Sequence, residues 1–355
     1  MSREPRGRDE RTPVLWMVVH GVIASAIGIA AGLAIEWFPE AASTQAGPID
    51  NLYDLLIWVS VPVFVTVTII VLFSVVNFRM RPGEENLDGP PIHGNTRLEV
   101  IWTAIPAVML VLLCSYAWIV LNDIEEAKAN EMRVNVTGQQ FAWTFEYPQA
   151  DGKPIKSTQL YLPKDRPVRF FVKAVDVLHD FWVPAFRMKI DAVPGIETKY
   201  RVTPNRLGTY PVVCAELCGL GHSVMRATTR VVTPADFDKW IAEQKAPAEA
   251  AGGGDGGGGG AADGKTLFTE GKGEATACGG CHKLADAATS GETGPDLDKV
   301  LAGKDAAFIE KAITAPDDEI AAGFQAGIMP KNYGDTLSPE ELKALVTYLG
   351  EVAGK

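Results

Sequence analysis

Three long uncharged runs in the first third of the chain restrict its fold more than any other feature. They cover residues 12–35, 55–78 and 100–122, and each contains more than 20 residues. About 20 apolar residues allow one helix to cross the hydrocarbon core of a bilayer. The mean hydropathy of the chain, +0.06, is high for a soluble protein. The sequence therefore predicts an N-terminal membrane part rather than three buried core helices.

Positive charges near these runs predict their orientation. The first run is preceded by Arg3, Arg6, Arg8 and Arg11. The loop before the third run contains Arg79, Arg81 and Arg97, whereas residues 36–54 contain neither Lys nor Arg. Cytoplasmic loops carry the excess of Lys and Arg, so everything after about residue 123 is expected outside. The first run is an anchor or a cleaved signal peptide. Its length favours the anchor, because the apolar part of a signal peptide is only ~7–15 residues.

The stretch from 131 to 233 has the pattern of a β domain. Apolar residues alternate with outward-facing ones over 168–172 and again over 200–202. Alternation with a period of two is typical of half-buried strands. Pro and Gly turns separate several such strands, which favours a Greek-key barrel or sandwich. Thr233 and Pro234 then form a helix-start pattern and predict a short closing helix.

A Gly-rich linker and a helical tail follow the β domain. The linker composition indicates a flexible tether with a span of roughly 20–25 Å. The last helix is predicted to begin at Ser338 with a capping box to Glu341 and to end at Gly350. The predicted domains are an anchor or signal peptide at 1–40, a transmembrane hairpin at 41–123, a β domain at 124–245, the linker at 246–262 and the tail at 263–355.

The motif CGGCH at 278–282 predicts covalently bound haem c. Cys278 and Cys281 would bond the haem vinyl groups, and His282 would be an axial ligand of the iron. A redox disulfide or half of a zinc site are the alternatives, but no Cys or His follows residue 282 to complete a zinc site. Met329, the only methionine after residue 225, is the predicted second axial ligand rather than a core residue, because a His/Met pair suits electron transfer. The tail resembles a class I cytochrome c over its whole length.

A second cluster of metal-binding residue types lies in CAELCGLGHSVM, residues 214–225. Cys214, Cys218, His222 and Met225 all lie in this segment, and His179 is the other histidine of the β domain. A zinc ion would bind the two cysteines and the two histidines and leave Met225 without a role. A disulfide would use only the two cysteines. Copper would use all five, because thiolates and a thioether are soft ligands. Two bridging thiolates would also hold two copper ions, each with one histidine.

The motif and further segments resemble subunit II of cytochrome c oxidase. VLHDFWVP (177–184), KIDAVPG (189–195) and the 214–225 segment look like its binuclear copper (CuA) domain, and HGNTRLEVIWTAIP (93–106) is similar to the start of its second membrane helix. The match covers residues 50–235, and the tail resembles the bacterial branch in which subunit II carries its own haem c. The resemblance implies a multi-domain membrane protein with N-terminal transmembrane helices, a cupredoxin-like Greek-key β-barrel and a C-terminal all-α cytochrome c.

The resemblance also implies roles for individual residues. Glu216 would give its backbone carbonyl to one copper and its carboxylate to a magnesium ion shared with subunit I. Glu99 would lie where the family admits protons to one channel. Phe141 occupies the place of the tryptophan that normally receives electrons, and Trp143 matches a later aromatic on the electron path. The side chains expected to bind the two copper ions are those of His179, Cys214, Cys218, His222 and Met225.

The implied activity is that of an oxidoreductase subunit in a bacterial cell membrane. Electrons would come from cytochrome c or a quinol–cytochrome c reductase and pass through haem c and CuA to subunit I. There O2 would be reduced to water with proton pumping; other oxidase subunits are expected partners, and nucleic acid is not. A CuA-containing nitric or nitrous oxide reductase is the runner-up, disfavoured by the membrane hairpin. A membrane copper-delivery protein would not need haem c.

Charge suggests how the two external domains meet. Residues 132–246 contain 16 basic and 11 acidic residues, a net charge of +5, whereas residues 261–355 contain 9 basic and 16 acidic residues, a net charge of −7. Opposite charges steer association, and salt weakens the effect. The sequence therefore predicts that the acidic haem domain docks on the more basic copper domain; the alternative is that the charge only keeps each domain soluble.

Overall fold

The three uncharged runs form three long helices. The structure is a computed structural model that describes residues 11–79, 91, 93–245, 260–272 and 275–353. The helices are α1 (Arg11–Ala34), α2 (Ala46–Phe78) and α3 (Thr96–Ile124). All three are long and apolar enough to cross a membrane, which confirms the three predicted spans. Arg81, the arginines before residue 11 and the linker up to residue 259 lie outside the described residues.

Glycine allows α1 to approach α2 closely. The described residues divide into two compact units, one within Met1–Pro39 and Gly47–Ile124 and the other within Glu40–Ala46 and Glu125–Lys355. In the first unit, a Cβ atom added to Gly28 would lie 2.8 Å from Val61 Cγ1, and one added to Gly32 would lie 2.8 Å from Ile57 Cγ2. Close approach through small residues is typical of helices that associate in a membrane. Helix α1 therefore has a packing partner within its own unit.

Two five-stranded sheets form the first part of the second unit. The strands are β1 (Met132–Gln139), β2 (Ala142–Tyr147), β3 (Ile155–Ser157), β4 (Leu160–Pro163), β5 (Val168–Ala174), β6 (His179–Val183), β7 (Met188–Ala192), β8 (Thr198–Val202), β9 (Gly208–Cys214) and β10 (Arg226–Val232). Their orders are β3-β2-β1-β5-β8 and β4-β10-β9-β6-β7. One hydrophobic core lies between the sheets. The domain is therefore a cupredoxin-like β-sandwich, as the sequence predicts.

The predicted alternation is confirmed in the strands. Val168, Phe170 and Val172 on β5 are fully buried, and Tyr200 and Val202 on β8 are nearly so. Strand β5 pairs with β8 in antiparallel register and with β1 in parallel register. Because side chains point alternately to the two faces of a sheet, every second residue of these strands enters the core.

Helix α4 (Pro234–Lys245) closes one end of the sandwich. Its start is as predicted, since Thr233 Oγ1 accepts the backbone N–H of Asp236 at 3.1 Å. Trp240 stacks on Tyr161 with ring centroids 4.4 Å apart and planes 12° apart. This aromatic contact holds the helix against the strand that carries Tyr161.

The rest of the second unit is mainly helical. It contains α5 (Gly260–Glu270), β11 (Lys283–Leu284), β12 (Thr289–Ser290), α6 (Leu297–Val300), α7 (Ala306–Thr314), α8 (Tyr333–Thr336) and α9 (Pro339–Val352). Helix α5 begins inside the segment whose composition indicates a linker, because Ala261 and Ala262 favour helix. Helix α9 begins with the predicted capping box of Ser338 and Glu341. The prediction that Gly350 ends α9 is wrong. Gly350 lacks the left-handed backbone of a helix-ending glycine, and α9 continues to Val352.

We predict that Gly264→Ala destabilises the helical part, because α5 and α9 are in backbone contact there. An added Cβ would lie 2.3 Å from Ala344 O, and overpacking of this kind costs about 1–3 kcal/mol. Hydrogen–deuterium exchange of α5 and α9 amides in the full chain should become faster. Gly350→Ala is the control: its Cβ would lie 3.7 Å from Ile309 Cδ1, so it should stabilise α9 by ~0.5–1 kcal/mol. Unchanged exchange in Gly264→Ala would contradict the prediction.

Candidate metal and haem centres

Six potential metal donors gather at one end of the β-sandwich. The Sγ atoms of Cys214 and Cys218 are 3.9 Å apart. His179 Nδ1 lies 3.9 Å from Cys214 Sγ, and His222 Nδ1 lies 3.7 Å from Cys218 Sγ. The remaining two donors complete the cluster: Met225 Sδ is 3.7 Å from Cys218 Sγ, and the backbone oxygen of Glu216 is 3.2 Å from Cys214 Sγ. The structure thus brings together the whole set that the sequence predicts.

Paired strands position these donors. His179 begins β6 and Cys214 ends β9, and the two strands are antiparallel neighbours with Phe181 opposite Cys214. The loop after Cys214 returns to β10, and Cys214 N donates to Met225 O at 3.2 Å. Met225 N in turn donates to Gly221 O at 3.0 Å. These backbone hydrogen bonds close the loop over the two sulfurs.

The two thiols differ in their electrostatics. Burial raises the pKa of Cys214, but hydrogen bonds with His179 and with nearby backbone groups outweigh burial and hold the pKa at about 7. Burial and the neighbouring Cys214 raise the pKa of Cys218 to about 12. At neutral pH the Cys218 thiol therefore keeps its proton until a cation replaces it. Metal ions deprotonate the thiols that coordinate them.

The donor set fits copper better than zinc or a disulfide. A disulfide needs a sulfur–sulfur distance of about 2.05 Å, far shorter than the 3.9 Å between Cys214 and Cys218. Structural zinc takes four ligands, which would leave two donors of this cluster unused. Met225 is fully buried against Cys218, and buried thioether and thiolate ligands are those that copper prefers.

Asp176 belongs to this site, and the sequence reasoning missed it. Its carboxylate accepts the backbone N–H groups of Gln140 and Val177 at 2.8 and 2.7 Å and lies 3.0 Å from His179 Nε2. Burial raises the pKa of Asp176, but these hydrogen bonds outweigh burial and lower it. Burial lowers the pKa of His179, but Cys214 and Asp176 outweigh burial and raise it. With Nε2 held by a carboxylate, the imidazole presents Nδ1 to the sulfurs; the available sequence signal was an Asp three residues before His179.

The two predicted aromatic residues differ in their surroundings. Trp143 is 1% exposed and packs edge-on against His179 and Phe181, with ring centroids 6.0 and 5.4 Å away. Phe141 is also buried, and its ring lies against Gly221. Gly221 belongs to the metal loop (residues 214–225) and lies between the donors Cys218 and His222. A Cβ atom added to Gly221 would be 2.4 Å from the Phe141 ring. The phenyl ring therefore occupies the space that a side chain at Gly221 would fill.

A cavity of about 600 Å³ lies between the helical part and this loop. Its volume is within the ~300–1,000 Å³ that is usual for cofactor pockets. Cys278, Cys281, His282 and Met329 line it, together with the side chain of Phe141. All four residues predicted to hold haem c thus face one cavity.

The geometry around His282 fits an axial haem ligand. Its Nδ1 lies 3.0 Å from Pro295 O, which leaves Nε2 available. Burial lowers the pKa of His282, which favours the neutral imidazole that an iron ligand requires. A Cβ atom added to Gly294 would lie 2.5 Å from the imidazole ring, so only glycine permits this close approach. The ring is fixed by a hydrogen bond on one side and by backbone on the other.

Hydrogen bonds and apolar contacts join the helical part to the β-sandwich. Thr293 Oγ1 donates to Val224 O at 2.7 Å, and Thr158 Oγ1 donates to Gly279 O at 3.4 Å. Leu220 and Val224 form part of the cavity wall. The ion pairs described for residues after 260 join two residues of that same stretch. Direct ion pairing thus does not account for the contact among the described residues, and the longer-range attraction of the two charged domains stays a prediction.

Glu99 lies at the start of α3, where it caps the helix. Glu99 Oε1 accepts the backbone N–H of Asn95 at 2.9 Å, and Asn95 Oδ1 accepts that of Leu98 at 3.2 Å. This reciprocal pattern satisfies N–H groups that have no partner within the helix. The capping contact explains an acidic residue at this position, and a role in proton entry remains a prediction.

Three family models match successive parts of the chain. Residues 14–120 match the transmembrane domain of cytochrome c oxidase subunit II, residues 155–232 match its periplasmic domain, and residues 261–353 match cytochrome c. With three helices able to span a membrane and a match to a periplasmic domain, the chain is a membrane protein with an external domain.

Curated relatives agree with these matches. Cytochrome c oxidase subunit 2 of Thermostichus vulcanus is 34% identical over 289 residues, which cover 66% of this chain and 87% of the relative. The same subunit of Alkalihalophilus pseudofirmus is 30% identical over 320 residues, which cover 84% of this chain and 86% of the relative. The crystal structure of the periplasmic domain of subunit II (CoxB) of Bradyrhizobium japonicum is 29% identical, covers 34% of this chain and 96% of that chain, and has a TM-score of 0.32. The chain belongs to the cytochrome c oxidase subunit II family and carries a cytochrome c domain fused at its C-terminal end.

Proposed function

We propose that this chain is the electron-entry subunit of a haem–copper oxidase. Electrons from an external donor, cytochrome c or a quinol–cytochrome c reductase, pass one at a time through haem c and a binuclear CuA centre to subunit I. There O2 is reduced to water, and protons are pumped. The observation that carries the proposal is that residues of the metal loop, Leu220 and Val224, line the same cavity as His282 and Met329.

Two copper ions would be held by the six-donor cluster of the β-sandwich. Cys214 and Cys218 would bridge them, because their sulfurs are adjacent and buried. Bound there, the copper pair would supply a site that stores one electron with little rearrangement. The backbone hydrogen bonds of the loop and the carboxylate of Asp176 would hold the ligands in place before and after the electron arrives. The other ligands would be His179, His222, Met225 and the backbone carbonyl of Glu216.

The C-terminal domain would hold one haem c. Cys278 and Cys281 would form the thioether bonds, and His282 and Met329 would be the axial ligands, a pair typical of electron transfer. Pro295 O keeps the His282 ring in one orientation. The mostly apolar cavity would exclude water from the haem.

Further roles follow from the family resemblance. The electron path would include Phe141 and Trp143. Phe141 contacts Gly221 of the metal loop and lines the haem cavity, and Trp143 packs against His179. The carboxylate of Glu216 would bind Mg²⁺ at the boundary with subunit I, and Glu99 would serve proton entry. The chain would assemble with subunit I and the other oxidase subunits in a bacterial cell membrane. We assign the anchor to residues 1–40, the hairpin to 41–123, the copper domain to 124–245, the linker to 246–262 and the haem domain to 263–355.

We predict that electron loss at the haem and electron gain at the copper site occur at one rate. The test is a rapid-mixing experiment on the copper- and haem-loaded chain, with the haem followed by absorption and the copper by electron paramagnetic resonance. Cys214→Ser is the matched variant: it removes one bridging sulfur, so the binuclear signal and the coupled change should both be lost. Haem oxidation that leaves the copper signal unchanged would refute the proposal.

We also predict that Asp176→Asn weakens copper binding. The substitution keeps the shape of the side chain but removes the charge that orients His179 and favours its Nδ1 as a ligand. Loss of such a supporting partner costs about 10–100-fold in metal affinity. Competition with a chelator, followed by metal analysis of the full chain, measures the effect. Asp238→Asn, on the exposed surface of α4, is the control, and equal copper retention by both variants would show that Asp176 is not needed.

A further inference from the structure

One hydrogen bond joins the two loops that carry the metal and haem ligands. Thr293 Oγ1 donates to Val224 O at 2.7 Å, and Thr293 is only 9% exposed. The other hydrogen bond described across this contact, from Thr158 Oγ1 to Gly279 O, is longer at 3.4 Å. Of the two, the bond from Thr293 has the better geometry.

On the haem side, Thr293 belongs to the segment that holds His282. Two residues after it, Pro295 O accepts the hydrogen bond of His282 Nδ1 at 3.0 Å. Gly294, between them, contacts the imidazole ring and donates its N–H to Cys281 O at 2.7 Å. Thr293 therefore lies in a segment that is bonded to the histidine and moves with it as part of the haem domain.

On the copper side, Val224 lies between two of the proposed copper ligands. His222 precedes it by two residues, and Met225 follows it directly. Val224 N donates to Gly221 O at 3.1 Å, and Met225 N donates to the same oxygen at 3.0 Å. The carbonyl that accepts the hydroxyl of Thr293 is thus part of a tightly bonded turn.

We infer that Thr293 is a positioning residue for electron transfer: its hydroxyl docks the segment that holds His282 onto the loop that holds His222 and Met225. The inference rests on the proposed function. The step moves one electron from the haem iron to the copper pair and needs no co-reactant. Because transfer slows steeply as the two centres separate, the hydroxyl acts by keeping the loops together.

The hydroxyl matters because the other described contacts between the two parts are apolar side chains and one longer hydrogen bond, and apolar contacts are not directional. The linker composition indicates a flexible tether, and the ion pairs described for the haem domain lie inside that domain. Across the contact, burial raises the pKa of Glu270, and the charge of Lys156 opposes this by a smaller amount. The partly buried carbonyl of Val224 would also lose its partner if the hydroxyl were absent.

The experiment compares Thr293→Val with Thr293→Ser in the full chain loaded with copper and haem. Valine keeps the shape of threonine without the hydroxyl, and serine keeps the hydroxyl. For Thr293→Val we expect the ratio of docked to undocked molecules to fall about tenfold, because one hydrogen bond across the contact is lost. Backbone amides of residues 220–225 should then exchange with deuterium faster, and haem-to-copper transfer should slow. Thr293→Ser should behave as the unmodified chain does.

Controls separate docking from damage to either centre. The haem absorption spectrum, the haem reduction potential and the copper paramagnetic signal should be the same in all variants. Thr347→Val, whose hydroxyl bonds only within α9, should change neither exchange nor transfer. Unchanged exchange and transfer in Thr293→Val would overturn the inference, as would equal impairment in Thr293→Ser. Absence of transfer in the unmodified chain would instead refute the proposed function, while the exchange measurement would still test the contact.

Discussion

The antiparallel pairing of β6 with β9, and of β9 with β10, is the constraint on which the rest of the structure depends. It brings His179 next to Cys214, 35 residues later in the chain. A slip of one residue would turn His179 to the opposite face of the sheet. The same pairing sets the two ends of the loop that carries Cys218 and Met225. That loop also forms part of the wall of the cavity lined by His282 and Met329, so the same strand register shapes one side of that cavity.

Burial gives the paired sulfurs their chemistry. Burial raises the pKa of Cys218, and the neighbouring Cys214 raises it further. Burial also raises the pKa of Cys214, but hydrogen bonds with His179 and backbone groups outweigh burial and lower it. A bound cation would stabilise both thiolates, and the thioether of Met225 makes a soft cation the better match. Asp176 adds a negative charge behind His179 and ties it to the backbone of residues 140 and 177. Asp176 thus helps to organise the site through His179 and not through a hydrogen bond to either sulfur.

The association of the haem domain with the β-sandwich depends on shape more than on paired charge. The opposite net charges are predicted to favour encounter, but the described contact consists of threonine hydrogen bonds and apolar side chains. Phe141 fits this arrangement, since its ring fills the space above Gly221 and reaches the haem cavity.

The sequence by itself determined the three membrane-spanning helices, the alternating strands and the capped last helix, because hydrophobic periodicity and capping act over a few residues. It also identified the donors of 214–225 and 278–282, whose spacing is local. Only the tertiary structure decided that Asp176 supports His179, that Thr293 reaches Val224, and that α9 continues past Gly350. These depend on which strands pair, which loops meet and which backbone angles the packing allows, and such long-range geometry leaves no periodic signal in a single sequence.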